Sequence, residues 1–589
     1  MSEAAASLDF SQSLGGNVWK FSSPDSHKVD AVVQKYNLPY TVAQILVARE
    51  VENIPDFLEP KLQNLLPDPY VLKDMQKAAE RIAAAIVNHQ KIAIIGDYDV
   101  DGATSSAVLR LFLEKLGNVP MIHIPERDEG YGPSMSAVDD FAACGAELLI
   151  TTDCGTTAFE VLEYAGTKNM DVIVLDHHEA ESRLPKIYAV VNPKRKDESN
   201  DYPSLKMMAA VGVVFMTIIA VNRCLREQGF YKDKQAPDLM QWLDLVALGT
   251  VCDVVPLKGV NRAFVRQGLK VMALRKNLGL KALADKVGIN EAPTAYHLGY
   301  VLGPRINAGG RVGDSSFGNR LLCCESEFEA NTLAAELDNF NTQRKEIEAH
   351  VMLQAMEILE GQPQDYPMAF VFGHDWHQGV VGIVAGKLKE KYNLTSFVMS
   401  VEPDEVKGSA RSVAGLDMGA LIMAAKEAGI LTKGGGHSMA AGFSLDEDKL
   451  EDFRRFAGEY IKNNLSDKDM VASLEIDGTI SVSGATVEFA DMLEKLAPYG
   501  AGNPEPKLMI ADAMLSKADI VGAGHLRCFF GSMSGGSLKA MAFGCADSEL
   551  GKALLNGRGQ VFNLAGTLRR DNWQGRNQVQ FIIEDAVRG

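Results

Sequence analysis

The chain of 589 residues contains no stretch long and apolar enough to read as a membrane-spanning helix. Its longest apolar run, residues 207–221, falls short of the roughly 20 residues a bilayer requires and is interrupted by Gly212, so it reads as a buried helix. The amino terminus, MSEAAASLDFSQSLGG, lacks both a basic region and a continuous apolar core. That argues against a secretory leader and makes the cytoplasm the expected compartment. Cysteine is sparse and scattered: the eight thiols form no CxxC pair and none sits at structural-zinc spacing, so free buried thiols are expected. Cys154 and Cys252 each adjoin an acid, but hard divalent ions prefer the neighbouring carboxylates to a thiolate. An excess of basic charge is also lacking. The formal net charge of −18 on its face argues against a nucleic-acid partner. A site built from carboxylates makes net charge a poor guide, however, because what matters is whether the Lys and Arg residues line one path.

What is present is an ordinary globular composition, 46% hydrophobic and 23% charged, in a chain too long for one core. Residues 1–70 carry a Pro-punctuated helical stretch and otherwise read as irregular. From residue 71 to 324 the pattern alternates helix and strand, the rhythm of a doubly wound α/β domain with a parallel sheet. Residues 325–361 hold no Gly or Pro until Gly361, and Leu333, Leu337, Phe340, Ile347, Val351, Ala355 and Ile358 recur at helical spacing. A single connecting helix is predicted there, with Arg344 and Lys345 on its solvated face. Residues 362–465 resume strand and helix alternation as a second α/β unit, ending in GGGHSMAAGF. Residues 466–589 change to short strands separated by Gly, Asn and Asp turns, the pattern of a small β-barrel or sandwich.

Three β-branched runs end in acid or imidazole: KIAIIGDYDVDG on Asp97, Asp99 and Asp101, LLITTDCG on Asp153, and DVIVLDHH on Asp176, His177 and His178. Such runs read as buried parallel strands, and ligands of open α/β sheets gather outside the carboxyl ends of those strands. A metal site is therefore expected in one crevice. DxDxDG taken alone is equally a solvated turn with helix-capping acids. If that segment stayed extended, its three acids would face one way. A calcium loop is excluded because residues 107–113 contain no closing acid. A lone Asp-His-His would more often be a turn with a core histidine, and it is the company of the other acids that makes it a ligand candidate. Asp253 in GTVCDVVPL is flanked by apolar residues and would be an expensive buried charge unless paired or bound to metal.

GDYDVDGATSSA, TTDCG, DHH and ALGTVCDVVPL stand in the order of the four motifs of the DHH phosphoesterases, and the chain resembles the bacterial single-strand exonuclease branch of that family. The likeness continues through IPERDEGYG, GPRINAGGRVGD, WHQGVVGIVAGKL, KGSARS, GGGHSMAAGF, PYGAGNPEP and NWQGRNQVQFIIED, from about residue 70 to the end. It implies a DHH catalytic domain, a DHH-associated second α/β domain and a carboxyl-terminal OB-like barrel. It further implies two divalent cations held by Asp97, Asp99, Asp153, His177 and Asp253, with Asp153 as the bridge. An imidazole among the carboxylates favours manganese over magnesium. Asp101 would be a ligand or a supporting group for the chemistry, Asp176 would orient its neighbour, and His178 would stand near the scissile phosphate.

The same resemblance implies a 5′ to 3′ exonuclease on single-stranded DNA that releases nucleoside 5′-monophosphates and serves repair, recombination and mismatch correction. Ser409 and Arg411 in KGSARS would hold a 5′ phosphate, with Arg127, Arg305, Asn307 and Arg311 lining that pocket or the strand path. For each arginine a surface ion pair is the competing reading. GGGH, with His437, could offer backbone N–H groups to phosphate or form a tight turn. In the last region Phe529, Phe530, Phe543, Phe562 and Trp573 interleave with Arg527, Lys539, Arg569, Arg570 and Arg576. Trp573 in the turn-like DNWQGRN is the aromatic expected to be exposed to strand bases, the phenylalanines mostly core. A monomer that works with a single-strand-binding protein and a helicase, away from membranes, completes the expectation. Two other readings stand beside it: a phosphodiesterase for short oligonucleotides or cyclic dinucleotides, and a replication scaffold whose metal site has decayed.

Overall fold

The computed structural model describes residues 13–127, 129–130, 132–363, 365–465, 472–533, 535–571 and 577–589. The chain divides into two compact units, one formed by Pro55–Glu346 with Pro498–Pro504 and the other by Met1–Ile54, Ile347–Ala497 and Glu505–Gly589.

The first unit is built on a five-stranded sheet. Its strands lie in the order Met121–His123, Ile92–Gly96, Leu148–Thr152, Asp171–Leu175, Ala189–Val191, and every pair is parallel. The strands read as unbroken apolar runs because both faces are covered. Ile92, Ile94, Leu148, Ile150, Ile173 and Leu175 enter one core, whereas Ala93, Ile95, Leu149, Val172 and Val174 enter another on the opposite face. The apolar run near residue 210 forms the helix Ala210–Glu227, buried along nearly its whole length in the larger core. Against it and Val100–Lys115 packs Leu243–Cys252, a helix apolar all round and buried from Leu243 to Thr250. Among the described residues no helix is long and apolar enough to cross a membrane.

The second unit contains a five-stranded sheet in the order Lys433–His437, Ala440–Leu445, Val406–Arg411, Thr395–Val401, Met368–His374, with only the last pair parallel. Beyond it Leu508–Val521, His525–Gly531, Ser537–Ala542, Gln578–Arg588 and Val561–Asp571 pair in succession, and Leu508–Val521 pairs again with Val561–Asp571. That last pairing closes a five-stranded barrel and removes its free edges. The predicted connecting helix is continuous over Glu327–Gly361, and the boundary between the units falls inside it.

Two local expectations are corrected. The amino-terminal region holds, besides helices such as Ser26–Tyr36 and Tyr40–Ala48, a strand where an irregular stretch is expected: Val18–Phe21 runs parallel to Ser473–Ile476. Trp19 is buried there and its indole N–H donates to Asp585 Oδ2 at 3.0 Å. No local pattern could reveal a strand whose partner lies hundreds of residues away. GGGH is not a tight turn, because Lys433–His437 is an extended edge strand laddered to Ala440–Leu445. Its glycines serve close approach: a Cβ on Gly436 would meet the Ala440 carbonyl oxygen at 2.4 Å.

Candidate metal centre

Gly96, Thr152 and Leu175 are register partners on neighbouring strands. The residues that follow them, Asp97, Asp153 and Asp176, therefore leave the sheet side by side. The sheet order reverses between Ile92–Gly96 and Leu148–Thr152, and such a switch point opens a crevice at the carboxyl ends of the strands. Asp153 turns out of its strand with φ 62, a left-handed conformation unusual for a residue with a Cβ and the kind of strain that collects at functional sites.

Five further groups, Asp99, Asp101, His177, His178 and Asp253, converge on these ends. His177 Nε2 lies 3.3 Å from Asp153 Oδ1, 3.6 Å from Asp253 Oδ2 and 3.8 Å from Asp101 Oδ2. Asp253 comes from the end of Leu243–Cys252, where it caps the helix. Potential ligand atoms fall into three overlapping sets, Asp97–Asp99–Asp153, Asp153–His177–His178 and Asp101–His177–Asp253, each within 4.8 Å. Asp153 and His177 are each shared by two sets. Neither Cys154 nor Cys252 belongs to one, and burial pushes both thiols up.

The acids of DYDVDG do not face one way, because the segment does not stay extended. The strand stops at Gly96 and a helix begins at Val100, with Asp99 as its N-cap accepting from the Gly102 N–H at 3.0 Å. Asp101, one residue into the helix, accepts from the Ala210 and Val211 N–H groups at 2.6 and 3.0 Å. Both of its oxygens thus hold the start of Ala210–Glu227, an orphan-donor position that a carboxylate satisfies well.

Asp176 is buried and accepts from the backbone of Thr156, His177 and His178 and from His178 Nδ1 at 2.8 Å. Burial would raise its pKa, but the His178 hydrogen bond and charge outweigh that and hold it well below the usual carboxylate range. His178, in turn, is desolvated by its surroundings, yet its bond to Asp176 raises its pKa. Asn192 fixes the turn by donating to the His178 carbonyl at 2.9 Å and to Thr156 Oγ1 at 2.8 Å.

The remaining carboxyls are crowded. Burial and then the neighbouring Asp99 push Asp97 up to about 8, and burial and then Asp101 push Asp253 up to about 9. Asp153 is also pushed far up by burial and by four neighbouring acids, whereas burial pushes His177 down to about 3. Asp97 Oδ1 and His177 Nε2 are buried without a hydrogen-bond partner among the described residues. Buried acids that repel one another, a neutral imidazole and orphaned acceptors at the mouth of a sheet fit divalent cations, which restore the carboxylates to their charged form.

Of the arginines of the same unit, Arg127 acts electrostatically on Asp97 and Arg311 on Asp99. Arg127 stacks 4.2 Å from the Tyr98 ring centroid and donates to the Gly310 carbonyl at 2.5 Å. Arg311 and the half-buried Asn307 lie on the helix Gly303–Val312, and burial with the nearby Arg127 and Arg344 lowers the Arg311 pKa to about 10. Arg344 is thus half-buried beside another arginine rather than on a solvated face, and only Lys345 of that pair is exposed. Arg305 is already held by Asp338 at 2.9 Å and by the Val301 carbonyl at 2.8 Å, the ion-pair alternative for an arginine. Sequence reasoning passed over Tyr98, Thr156 and Asn192; of these only Tyr98 carried a signal, an aromatic set between two of the acids.

In the other unit Lys407, Ser409 and Arg411 share the half-buried face of their strand. Gly382 makes room for them: a Cβ there would stand 3.1 Å from Ser409 Oγ and 3.2 Å from Arg411 Nη2. The Arg411 guanidinium has no carboxylate partner among the described residues, and burial lowers its pKa. His437 is exposed at the end of its strand. In the barrel Phe530 and Phe562 are core whereas Phe543 is exposed, and Lys539, Arg569 and Arg570 are paired with Asp571, Glu505 and Asp491. Trp573 and Arg576 lie outside the described residues.

Comparison with known proteins agrees with this layout. Residues 91–250 match the DHH family N-terminal domain, 365–463 the DHHA1 domain and 476–585 the RecJ OB domain. The chain is 36% identical to the single-stranded-DNA-specific exonuclease RecJ of Escherichia coli, over 93% of this chain and 96% of that protein. Identity to the Bacillus subtilis RecJ is 33%, over 97% of this chain and 70% of that protein. The crystal structure of Thermus thermophilus RecJ in complex with Mn2+ superposes with a TM-score of 0.80 at 26% identity, covering 97% of this chain and 79% of that one. A second structure of the same protein holds Mg2+. With its acids and imidazoles gathered at the switch point and every one of its domain types matched, the chain belongs to the RecJ family of single-stranded-DNA-specific exonucleases.

Proposed function

We propose that this protein is a metal-dependent exonuclease that degrades single-stranded DNA from the 5′ end and releases nucleoside 5′-monophosphates. The observation that carries the reading is the convergence of Asp97, Asp99, Asp153, His177 and Asp253 in overlapping clusters, the ligand atoms of each lying within 4.8 Å of one another. These residues would hold two divalent cations, manganese by preference and magnesium as the second choice, with Asp153 between them. When bound, such ions supply an activated water and neutralise the phosphoryl oxygens during in-line displacement.

The chain's own groups divide the rest of the work. Asp101 anchors the start of Ala210–Glu227 and stands 3.8 Å from His177 Nε2. Asp176 accepts from His178 Nδ1, which fixes the ring's orientation and raises its pKa, and His178 would stabilise or protonate a phosphate oxygen. Arg127, Asn307 and Arg311 provide donors for the strand backbone next to the cluster. Arg305 is set aside from that group because Asp338 already occupies its fork. Ser409 and Arg411 would capture the terminal 5′ phosphate, a bidentate role open to a guanidinium that no carboxylate among the described residues claims.

The barrel would bind the strand, with the exposed Phe543 added to Trp573 as a base-contacting candidate. A cytoplasmic monomer acting in repair and recombination, alongside a single-strand-binding protein and a helicase, is the setting that this chemistry suits.

The purified protein should hydrolyse end-labelled single strands with manganese and leave duplex and dinucleotide substrates largely intact. Asp153→Ala and His177→Ala should abolish turnover while leaving the far-ultraviolet circular dichroism unchanged. Undiminished hydrolysis by Asp153→Ala would overturn the metal assignment, and preference for dinucleotides would point to the oligonucleotide phosphodiesterase instead.

A further inference from the structure

Outside the metal cluster, the feature of the catalytic unit that best matches a single strand is a pair of exposed aromatic rings. Tyr296 and Tyr300 are 59% and 74% exposed, and their rings stack with centroids 5.2 Å apart at 25°. Large aromatics dominate cores and interfaces, and a stacked pair left in water is unusual unless something covers it. Neither hydroxyl hydrogen-bonds a described residue, so the rings are not held outward by a polar anchor.

Their backbone is held instead. Tyr300 lies in the π-helical turn His297–Leu302, and Tyr296 immediately precedes it. Such turns are rare and concentrate at functional sites. This one is fastened to the last turn of Leu243–Cys252, the helix that ends in Asp253. Cys252 Sγ donates to the Leu298 carbonyl at 3.4 Å, and a Cβ on Gly303 would stand only 2.4 Å from that sulfur. The edge of His297 rests against Tyr296 at 6.0 Å and 75°, while its Nδ1 accepts from the Thr294 N–H at 3.1 Å. Chain geometry keeps the Tyr300 backbone within about 20 Å of Asp253, a span of some six stacked nucleotides at about 3.4 Å each.

We infer that Tyr296 and Tyr300 form a base-stacking platform that positions the single strand a few nucleotides from the metal centre. The inference rests on the reading that single-stranded DNA is the substrate. Bases of a single strand present their π-faces to any aromatic ring, irrespective of sequence, and stacking on such rings is a main source of affinity in strand-binding proteins. A duplex hides those faces, so the same two rings would favour single strands over paired ones. The tyrosines touch no reacting atom and act as positioning residues.

The test uses the full-length protein with 5′-phosphorylated single strands, either intact or carrying a run of abasic sites at nucleotides 3–8. Tyr296→Ala/Tyr300→Ala should raise KM on the intact strand about tenfold with kcat within about twofold, and Tyr296→Phe/Tyr300→Phe should behave as wild type. On the abasic strand wild type should already show the raised KM, and the alanine variant should add nothing. In parallel, with 2-aminopurine placed in turn at each of these nucleotides, at least one position should be quenched on binding to Asp153→Ala protein, and that quench should vanish when the tyrosines are also replaced. That readout needs no hydrolysis, so it separates failure of the platform from failure of the metal assignment. An unchanged KM, an equal added loss on abasic strands or a defect in the phenylalanine variant would overturn the proposal, the second of these pointing to a structural role or to a protein partner on the rings.

Discussion

A single methyl group should disable this enzyme through its backbone. Gly102 follows Asp101 at the start of Val100–Lys115, and a Cβ placed on it would stand 2.3 Å from the Asp97 carbonyl oxygen and 2.6 Å from the Asp97 Cα. Ordinary non-bonded contacts to carbon need more than 3 Å, so the strand end and the helix start must separate by about 0.7–1 Å. No flexible side chain can absorb this, because every atom met is main chain. Asp97 therefore moves relative to Asp153, and a misplacement of about 1 Å in a catalytic constellation is worth about 100-fold in rate. The overpacking itself should cost the catalytic unit about 1–3 kcal/mol, which leaves it folded. Gly102→Ala is thus expected to retain its circular dichroism spectrum, with a modest fall in melting temperature, while single-turnover hydrolysis of a saturating single strand slows about 100-fold. Gly386→Ala is the control. It lies within the helix Gln378–Tyr392 with nothing within 4 Å of a new Cβ, and should gain about 0.5–1 kcal/mol with full activity. Near wild-type turnover by Gly102→Ala would refute the claim that close packing behind the strand end positions Asp97.

Other outcomes can be stated briefly. Asp244 is buried, and burial raises its carboxyl to about 7, so its contribution to stability is full below the unfolded pKa near 3.8 and is lost as pH rises through about 7. Asp244→Asn should therefore stabilise the catalytic unit at pH 8 by an amount of order 3 kcal/mol and flatten its stability between pH 4 and 7; an unaltered denaturation profile would contradict this. Arg411→Ala should remove the preference for 5′-phosphorylated over 5′-hydroxyl strands, measured as the ratio of kcat/KM values, whereas equal loss on both would place Arg411 elsewhere. Trp19→Ala should destabilise the barrel unit by about 3–5 kcal/mol, because it empties a buried site and strips the indole donor from Asp585; protease protection of residues 473–589 would report it. Chelation should lower the melting temperature of the catalytic unit and manganese should restore it, since cations relieve the repulsion among Asp97, Asp153 and Asp253; Asp153→Ala should blunt that response.

Much of the fold was legible because it is written in local periodicity. The helix over Glu327–Gly361 and the parallel strands of the catalytic sheet appeared as apolar patterns whose burial needs no distant information. The strand Val18–Phe21 was not legible, since its identity depends on Ser473–Ile476. Nor was the extended GGGH strand, whose glycines invited a turn until the close approach of Ala440 was known. The arginines show the same limit. Arg305 and Arg411 look alike in sequence, and only their neighbours separate a guanidinium claimed by Asp338 from one without a carboxylate partner among the described residues.

The sequence by itself determined that acids and imidazoles would stand at the ends of buried strands, because β-branched runs followed by Asp or His admit few other solutions in a doubly wound domain. Tertiary structure alone decided how those groups share the work. Register brings Asp97, Asp153 and Asp176 abreast. A helix start claims both oxygens of Asp101, a histidine claims Asp176, and the end of another helix delivers Asp253 from the far side. The residue types fix which chemistry is available, whereas the desolvation and neighbour charge that tune each group arise only when segments far apart in the chain are packed together.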